Sequence, residues 1–367
     1  MPGFVRESIS AGRPRPRPAC LWGALVLCVS AWAADYPAPV EGDYVVKDFR
    51  FTTGETLPEL RLHYTTIGSP AKDANGVVRN AVLVMHGTGG TARSFLTPTF
   101  AGELFGAGQL LDAAKYYIIL PDAIGHGESS KPSDGLHLKF PRYTYEDMVR
   151  GDFLLLTEKL SVNHLRLVMG TSMGGMHTWL WGYLHPDFMD ALMPLASAPV
   201  EIGGRNRMIR RMIMDSIRND PDFHEGEYTG PLRGMLGAQF ALFMMTSSPL
   251  QLLHQAPTRD EADRLFDRRF YGSHPDPNDM LYAYDSSREY NPAPHLEEIR
   301  APLYAINSAD DQVNPPELGI LEREIKRVKR GRYILIPISE KTRGHGTHSL
   351  PTVWGEYLAG LLKESAR

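Results

Sequence analysis

Three residue types that together make a hydroxyl reactive lie far apart in this chain. They are a serine between glycines, a pair of adjacent aspartates, and a histidine behind a glycine. The serine is Ser172, in Gly170-Thr171-Ser172-Met173-Gly174-Gly175. The apolar run at 164–169 before it reads as a strand, and Met176, Leu180, Tyr183 and Leu184 after it recur at helical spacing up to His185-Pro186. A G-x-S-x-G between a strand and a helix predicts a turn sharp enough to hold the serine hydroxyl clear of the sheet. Side chains at Gly170 and Gly174 would collide with neighbouring backbone there. The start of the following helix favours the negative charge that develops when such a hydroxyl attacks a carbonyl.

A serine is a weak nucleophile near neutral pH unless a base takes its proton and an acid orients the base. Both follow Ser172 in the chain. The strand pattern at 303–307 runs into Asp310-Asp311-Gln312-Val313-Asn314-Pro315, and a carboxylate just past a strand tip suits the acid. Asp311 is favoured over Asp310 on its spacing to Pro315, which leaves Asp310 as a carboxylate that caps the loop. The last strand pattern, at 332–338, leads to Gly344-His345-Gly346-Thr347-His348. His345 is favoured over His348 as the base, because the preceding glycine lets the loop dip toward the serine. The apolar strand at 81–85 ends in His86-Gly87-Thr88-Gly89-Gly90. It nominates the backbone N–H of Thr88, with that of Met173, to stabilise an oxyanion.

Composition bounds the partners. Arg6, Arg13, Arg15 and Arg17, an apolar stretch at 21–31 and Ala31-Trp32-Ala33 predict a secretory signal peptide over 1–33. Its four arginines against Glu7 carry +3, so the formal charge of −4 becomes −7 after cleavage. Cleavage would also remove both cysteines, Cys20 and Cys28, leaving no thiol, no disulfide and no stable membrane anchor. The expected location is periplasmic or secreted. The acidic balance and the lack of a basic run exclude nucleic acid as a partner class. No metal-ligand spacing or cofactor motif is found, so no metal and no cofactor are expected.

The order of elements gives the architecture. Two alternating runs, at 44–51 and 60–66, predict an antiparallel pair at a sheet edge. Strand patterns at 81–85, 116–120, 164–169, 191–196, 303–307 and 332–338 alternate with helical ones, including one helix over 143–160, which implies a mostly parallel sheet flanked by helices. Residues 34–199 and 300–367 form this core. Residues 200–299 read as an inserted helical cap, with helices over 207–218 and 235–253. On the first, Met208, Ile209, Met212, Ile213 and Ile217 are expected inside, while Arg207, Arg210 and Arg211 have the spacing of a solvated face. The cap is also a candidate surface for a homodimer.

These motifs together resemble the α/β-hydrolase superfamily, and within it the homoserine O-acyltransferase branch and its hydrolase-like relatives. The marks are Gly54-Glu55-Thr56-Leu57-Pro58, Ser172-Met173-Gly174-Gly175-Met176, Asp220-Pro221-Asp222-Phe223 and Gly344-His345. The resemblance implies an α/β-hydrolase fold with Ser172, Asp311 and His345 as triad. The departures from the transferase pattern are specific. Met214 stands where the transferases place an arginine six residues before the Asp-Pro. Gly87-Thr88-Gly89 replaces Ala-Leu-Thr, Gly346 replaces the aspartate after the histidine, and the loop at 122–129 is of the general hydrolase type. The sequence therefore points to an exported serine hydrolase that cleaves a carboxylic ester of a small-molecule acyl substrate. Acyl-CoA-dependent O-acyl transfer of the homoserine acetyltransferase type is the alternative.

Overall fold

The computed structural model describes residues 35–272 and 275–366, so the expected signal peptide lies outside the described residues. Eight strands form one sheet: β1 (Val40–Arg50), β2 (Thr56–Ile67), β3 (Ala81–Met85), β4 (Tyr117–Pro121), β5 (Leu167–Thr171), β6 (Leu192–Leu195), β7 (Leu303–Ser308) and β8 (Gly331–Ile336). Their order across the sheet is β1-β2-β4-β3-β5-β6-β7-β8. β1 pairs antiparallel with β2, as the alternating opening runs predict, and β2 also pairs antiparallel with β4. Every other neighbouring pair is parallel.

The central strands are apolar throughout because both sheet faces are covered. On β3, Leu83 and Met85 point into a core shared with Met176, Trp179, Leu180 and Trp181 of α3 (Met173–Leu184) and with Met148 and Val149 of α2 (Tyr145–Leu154). Val82 and Val84 point the other way, into a core with α1 (Ala101–Leu104) and with Trp354, Leu358 and Leu361 of α10 (Pro351–Glu364). α2 is shorter than the single helix expected over 143–160. Thr144 caps its start by accepting from the Asp147 N–H, and past Leu154 the chain winds into one wider π-helical turn, Leu155–Lys159.

Between β6 and β7 come α4 (Gly204–Arg218), α5 (Gly234–Thr246), α6 (Pro249–Gln255), α7 (Arg259–Phe270) and α8 (Pro277–Asp285); α9 (Ile320–Glu324) follows β7. The helix expected over 235–253 is broken in two at Ser247-Ser248, since Pro249 supplies no N–H to continue α5. The buried stripe of α4 is also turned from the expected one. Arg210, Ile213, Met214 and Ile217 face inward, whereas Met208 and Met212 are 68% and 58% exposed. Ile213, Met214 and Ile217 join Phe223, Met235 and Leu281 in a small core belonging to these helices.

At the turn from β5 to α3 the backbone packs so tightly that two glycines are obligatory. A Cβ on Gly174 would lie 2.0 Å from the Met85 carbonyl oxygen, and one on Gly170 would lie 2.2 Å from the carbonyl oxygen of Gly174. Backbone atoms cannot yield as a flexible side chain can. Gly174→Ala is expected to destabilise the protein by about 3 kcal/mol. Denaturant unfolding of the variant beside the parent measures this, and a loss under ~1 kcal/mol would mean that the turn relaxes.

Candidate active site

Ser172 stands between β5 and α3 with φ 53° and ψ −108°, a conformation that costs a non-glycine residue of order 1–3 kcal/mol. Its surroundings hold it there. The Ser172 N–H donates to the Leu195 carbonyl at 2.9 Å, and its own carbonyl accepts from Met176 N–H at 2.9 Å as α3 begins. The side chain is thereby presented to the loops at the carboxyl ends of the parallel strands.

Those loops bring the sequence-nominated residues together. His345 Nε2 lies 2.8 Å from Ser172 Oγ, and His345 Nδ1 lies 3.1 and 3.0 Å from the two carboxylate oxygens of Asp311. An ionised Asp311 can only accept, so Nδ1 carries the proton and Nε2 is the acceptor for the serine hydroxyl. Asp311 is fully buried. Burial alone would raise its pKa, but His345, the Val313 N–H and Asn314 together outweigh it and hold the carboxyl below the usual range. Asn314 went unnoticed in the sequence. Its Nδ2 bridges Asp311 Oδ2 and the Ala196 carbonyl, fastening the acid's loop to the end of β6. Its position inside the Asp-rich loop was the only signal available.

Asp310 has a different task. It accepts from the Ser308 hydroxyl, from Thr342 Oγ1 at 3.1 Å and from the Gly344 N–H at 2.9 Å. It therefore ties the end of β7 to the loop that carries His345. His348 lies behind the base, its ring edge-on to that of His345 at 5.2 Å, and does not join the serine–histidine–aspartate chain.

On the other side of Ser172 the loop after β3 comes close, so that a Cβ on Gly87 would lie 3.3 Å from Ser172 Cβ. Thr88 lines the same cleft as Ser172. Met173 opens α3, so its N–H is one of the first-turn donors that have no carbonyl partner within the helix. The next N–H, of Gly174, donates to the His86 carbonyl at 2.9 Å and locks the two loops together. His86 Nε2 accepts from Ala123 N–H at 3.0 Å, while its Nδ1–H donates to the Gly87 carbonyl at 2.8 Å.

Two spaces meet at Ser172. A narrow slot of about 70 Å³ is lined mainly by apolar groups, among them Met176, Ala196, Ala198, Ile202, Val313 and Leu321. A wide cleft of about 640 Å³ contains Thr88, Ser172 and His345, and its far wall comes from α4 to α8, including Leu242, Phe243 and Tyr284. Arg210 lines this cleft as well, contrary to the solvated position its spacing suggested, because α4 is turned to bury it. Met214, in the position of the transferase arginine, is buried in the core of the insertion. A hydroxyl hydrogen-bonded to an imidazole–carboxylate pair, at the junction of a narrow apolar slot and a wide cleft, is arranged for nucleophilic attack on a carbonyl.

Residues 80–337 match the family model described as the α/β hydrolase fold. The chain belongs to that family and is an enzyme of the α/β-hydrolase superfamily, on its homoserine O-acetyltransferase-like branch. A probable acyltransferase of Methanothermobacter thermautotrophicus is 29% identical over 281 residues, covering 76% of this chain and 85% of that one. A homoserine O-acetyltransferase of Moorella thermoacetica is 32% identical over 220 residues, 54% of this chain and 56% of its own length. The solved structure of an acetyl esterase shares the fold with a TM-score of 0.75 at 24% identity, over 88% of this chain and 97% of that one.

Two outcomes follow from the site. Asp311→Asn leaves the imidazole free to take the wrong tautomer and is expected to lower turnover of an activated ester by up to ~10⁴. Asp310→Asn loosens only the loop and is expected to cost roughly tenfold. Measuring both turnover numbers separates the roles, and a reversed order would transfer the acid's role to Asp310.

The second outcome concerns pH. Burial lowers His86 to about 4, His126 and His348 to about 3, and His177 well below its ordinary value. Between pH ~6.5 and ~4 the unfolded chain therefore binds protons on four imidazoles that the native state keeps neutral, and stability falls as pH falls. Burial raises Asp152 to about 8 and Asp279 to about 6, which acts in the opposite direction, but with two groups against four. The denaturation midpoint is expected to drop across this window, and a flat or rising midpoint would contradict the assignment.

Proposed function

We propose that this protein is a serine hydrolase that cleaves carboxylic esters through an acyl-enzyme on Ser172. The observation that carries the reading is the unbroken hydrogen-bonded chain from Ser172 Oγ through His345 to buried Asp311, opening on the wide cleft. Ser172 Oγ attacks the acyl carbon while His345 Nε2 takes its proton. The N–H groups of Met173 and Thr88 meet the oxyanion, each worth ~3 kcal/mol in such sites. His345 then returns the proton to the departing alkoxide as the ester bond breaks. Water repeats the sequence, giving its proton to His345 and freeing the acid. The N-terminal leader supports export to the periplasm or beyond, with the helices of 200–299 acting as the cap over the substrate.

The names of the sequence relatives favour a second reading, acyl transfer from a thioester to an alcohol. Met214, in the place of the transferase arginine, stands against it, whereas Arg210, turned inward to line the same cleft, supplies a cation in its stead and keeps the transfer reading open.

A fluorophosphonate probe is expected to label the mature protein and not Ser172→Ala. Short-chain aryl esters are expected to be turned over, with a loss of at least ~10³ in Ser172→Ala. Equal labelling of both proteins would sink the nucleophile assignment. Acetyl-coenzyme A with and without homoserine decides between the readings, because thiol release stimulated by homoserine, with acetylhomoserine formed, would replace hydrolysis by transfer.

A further inference from the structure

The narrow slot beside Ser172 is bounded at its inner end by small side chains. β5 and β6 run parallel with Thr171 opposite Leu195, so Ser172 and Ala196 stand side by side where the two strands end. Ala196 takes a left-handed φ of 51°, a conformation unfavourable for a branched side chain, and its N–H donates to the Ile306 carbonyl at 2.8 Å. The next side chain, Ser197, turns toward α3, where its Oγ accepts from Trp179 Nε1 at 3.2 Å. Ala198 lines the slot with Ala196, and its carbonyl is fixed by the Tyr290 hydroxyl at 2.9 Å. Beyond these methyl groups the lining passes from buried Val313 and Leu321 to half-buried Ile202 and then to Leu318, which is 56% exposed. The slot thus leads from Ser172 toward the surface. The charged residues of its lining are Glu201 and Glu322, both exposed, and no Lys or Arg joins them among the described residues.

The position of the base says which end of an ester enters the slot. His345 must hand its proton to the leaving oxygen, and His345 lines the wide cleft but not the slot. The alcohol portion then belongs in the cleft and the acyl chain in the slot. Its volume of about 70 Å³ is room for about five water-sized groups in succession.

We propose that the slot selects an uncharged acyl chain of about four to six carbons, with Ala198 as the residue whose small size admits it. Each methylene that leaves water for this lining favours the longer chain by roughly fourfold. A chain that ends in a carboxylate is disfavoured twice, because burying its charge is costly and because Glu201 and Glu322 repel it. The proposal rests on the ester-cleavage reading above.

The test is a series of 4-nitrophenyl esters from acetate to hexanoate, with the glutarate monoester beside the pentanoate. In the parent protein kcat/KM is expected to rise at least about tenfold from acetate to hexanoate. The glutarate monoester is expected to fall at least about tenfold below the pentanoate, and added salt should narrow that gap. Ala198→Leu fills the slot and is expected to lower the hexanoate-to-acetate ratio at least about tenfold. Ile202→Trp, in the same lining, serves if Ala198→Leu does not fold, and Met208→Ala on the exposed face of α4 is expected to keep the parent's ratio. Acetate cleaved as fast as hexanoate, the glutarate ester as fast as the pentanoate, or a ratio insensitive to filling the slot in a folded variant overturns the proposal while ester cleavage stands. A second measurement needs no turnover. Ser172→Ala protein, with and without Ala198→Leu, is titrated with acetamide and with hexanamide. Tighter binding of hexanamide that is lost on filling the slot supports the proposal. Equal affinities, or a preference that survives Ala198→Leu, overturn it, even if failure of every ester has already removed the hydrolase reading.

Discussion

The whole site depends on how closely two backbones approach at the carboxyl end of β3. Gly174 packs its bare Cα against the Met85 carbonyl, and its N–H donates to His86 at 2.9 Å. That contact brings the start of α3 against the loop of His86, Gly87 and Thr88, so that Ser172 and the proposed backbone donors come from one clamped unit. The strain at Ser172 is tolerated because this unit is anchored by the fully buried side chains of Trp179 and Trp181 on one sheet face and the apolar strands themselves. The geometry is thus set before any substrate arrives, as electrostatic stabilisation requires.

The second half of the site is assembled by two adjacent carboxylates with opposite orientations. Asp311 turns toward His345 and is oriented by Asn314 and the Val313 N–H, whereas Asp310 turns toward Gly344 and Thr342. One side chain sets the tautomer of His345, and its neighbour sets the path of the loop that carries this imidazole.

The sequence was most legible where geometry leaves few choices. The glycines flanking Ser172, the order serine, acid and histidine, and the two-versus-many pattern of antiparallel and parallel strands all follow from sterics and burial. Element boundaries were less legible: the helix from Tyr145 ends at Leu154 because a π-helical turn follows, which apolar spacing does not reveal. The inserted helices were the hardest. Their apolar residues pack among themselves and against the cleft, so α4 has two partly apolar faces, and periodicity alone placed Met208 and Met212 inside and Arg210 outside. Arg210 falls three, four and seven residues before Ile213, Met214 and Ile217, so it shares their stripe. A charged residue on an apolar stripe is easily discounted, and here its partners, Asn206 and Ser287, are neutral and in one case distant in sequence.

Gly344, beside the base, rests against more than its own loop. A Cβ there would lie 3.1 Å from the Ser247 carbonyl oxygen and 3.3 Å from that of Asp310. Ser247 is the break between α5 and α6, so the far wall of the cleft and the loop that carries His345 share a fulcrum. The exposed stretches of α5, α6 and α7 have room to change in shape and chemistry around that point. The backbone at 247 does not share that freedom, because its carbonyl packs against Gly344. A shift of that carbonyl would press on Gly344, the residue before the imidazole.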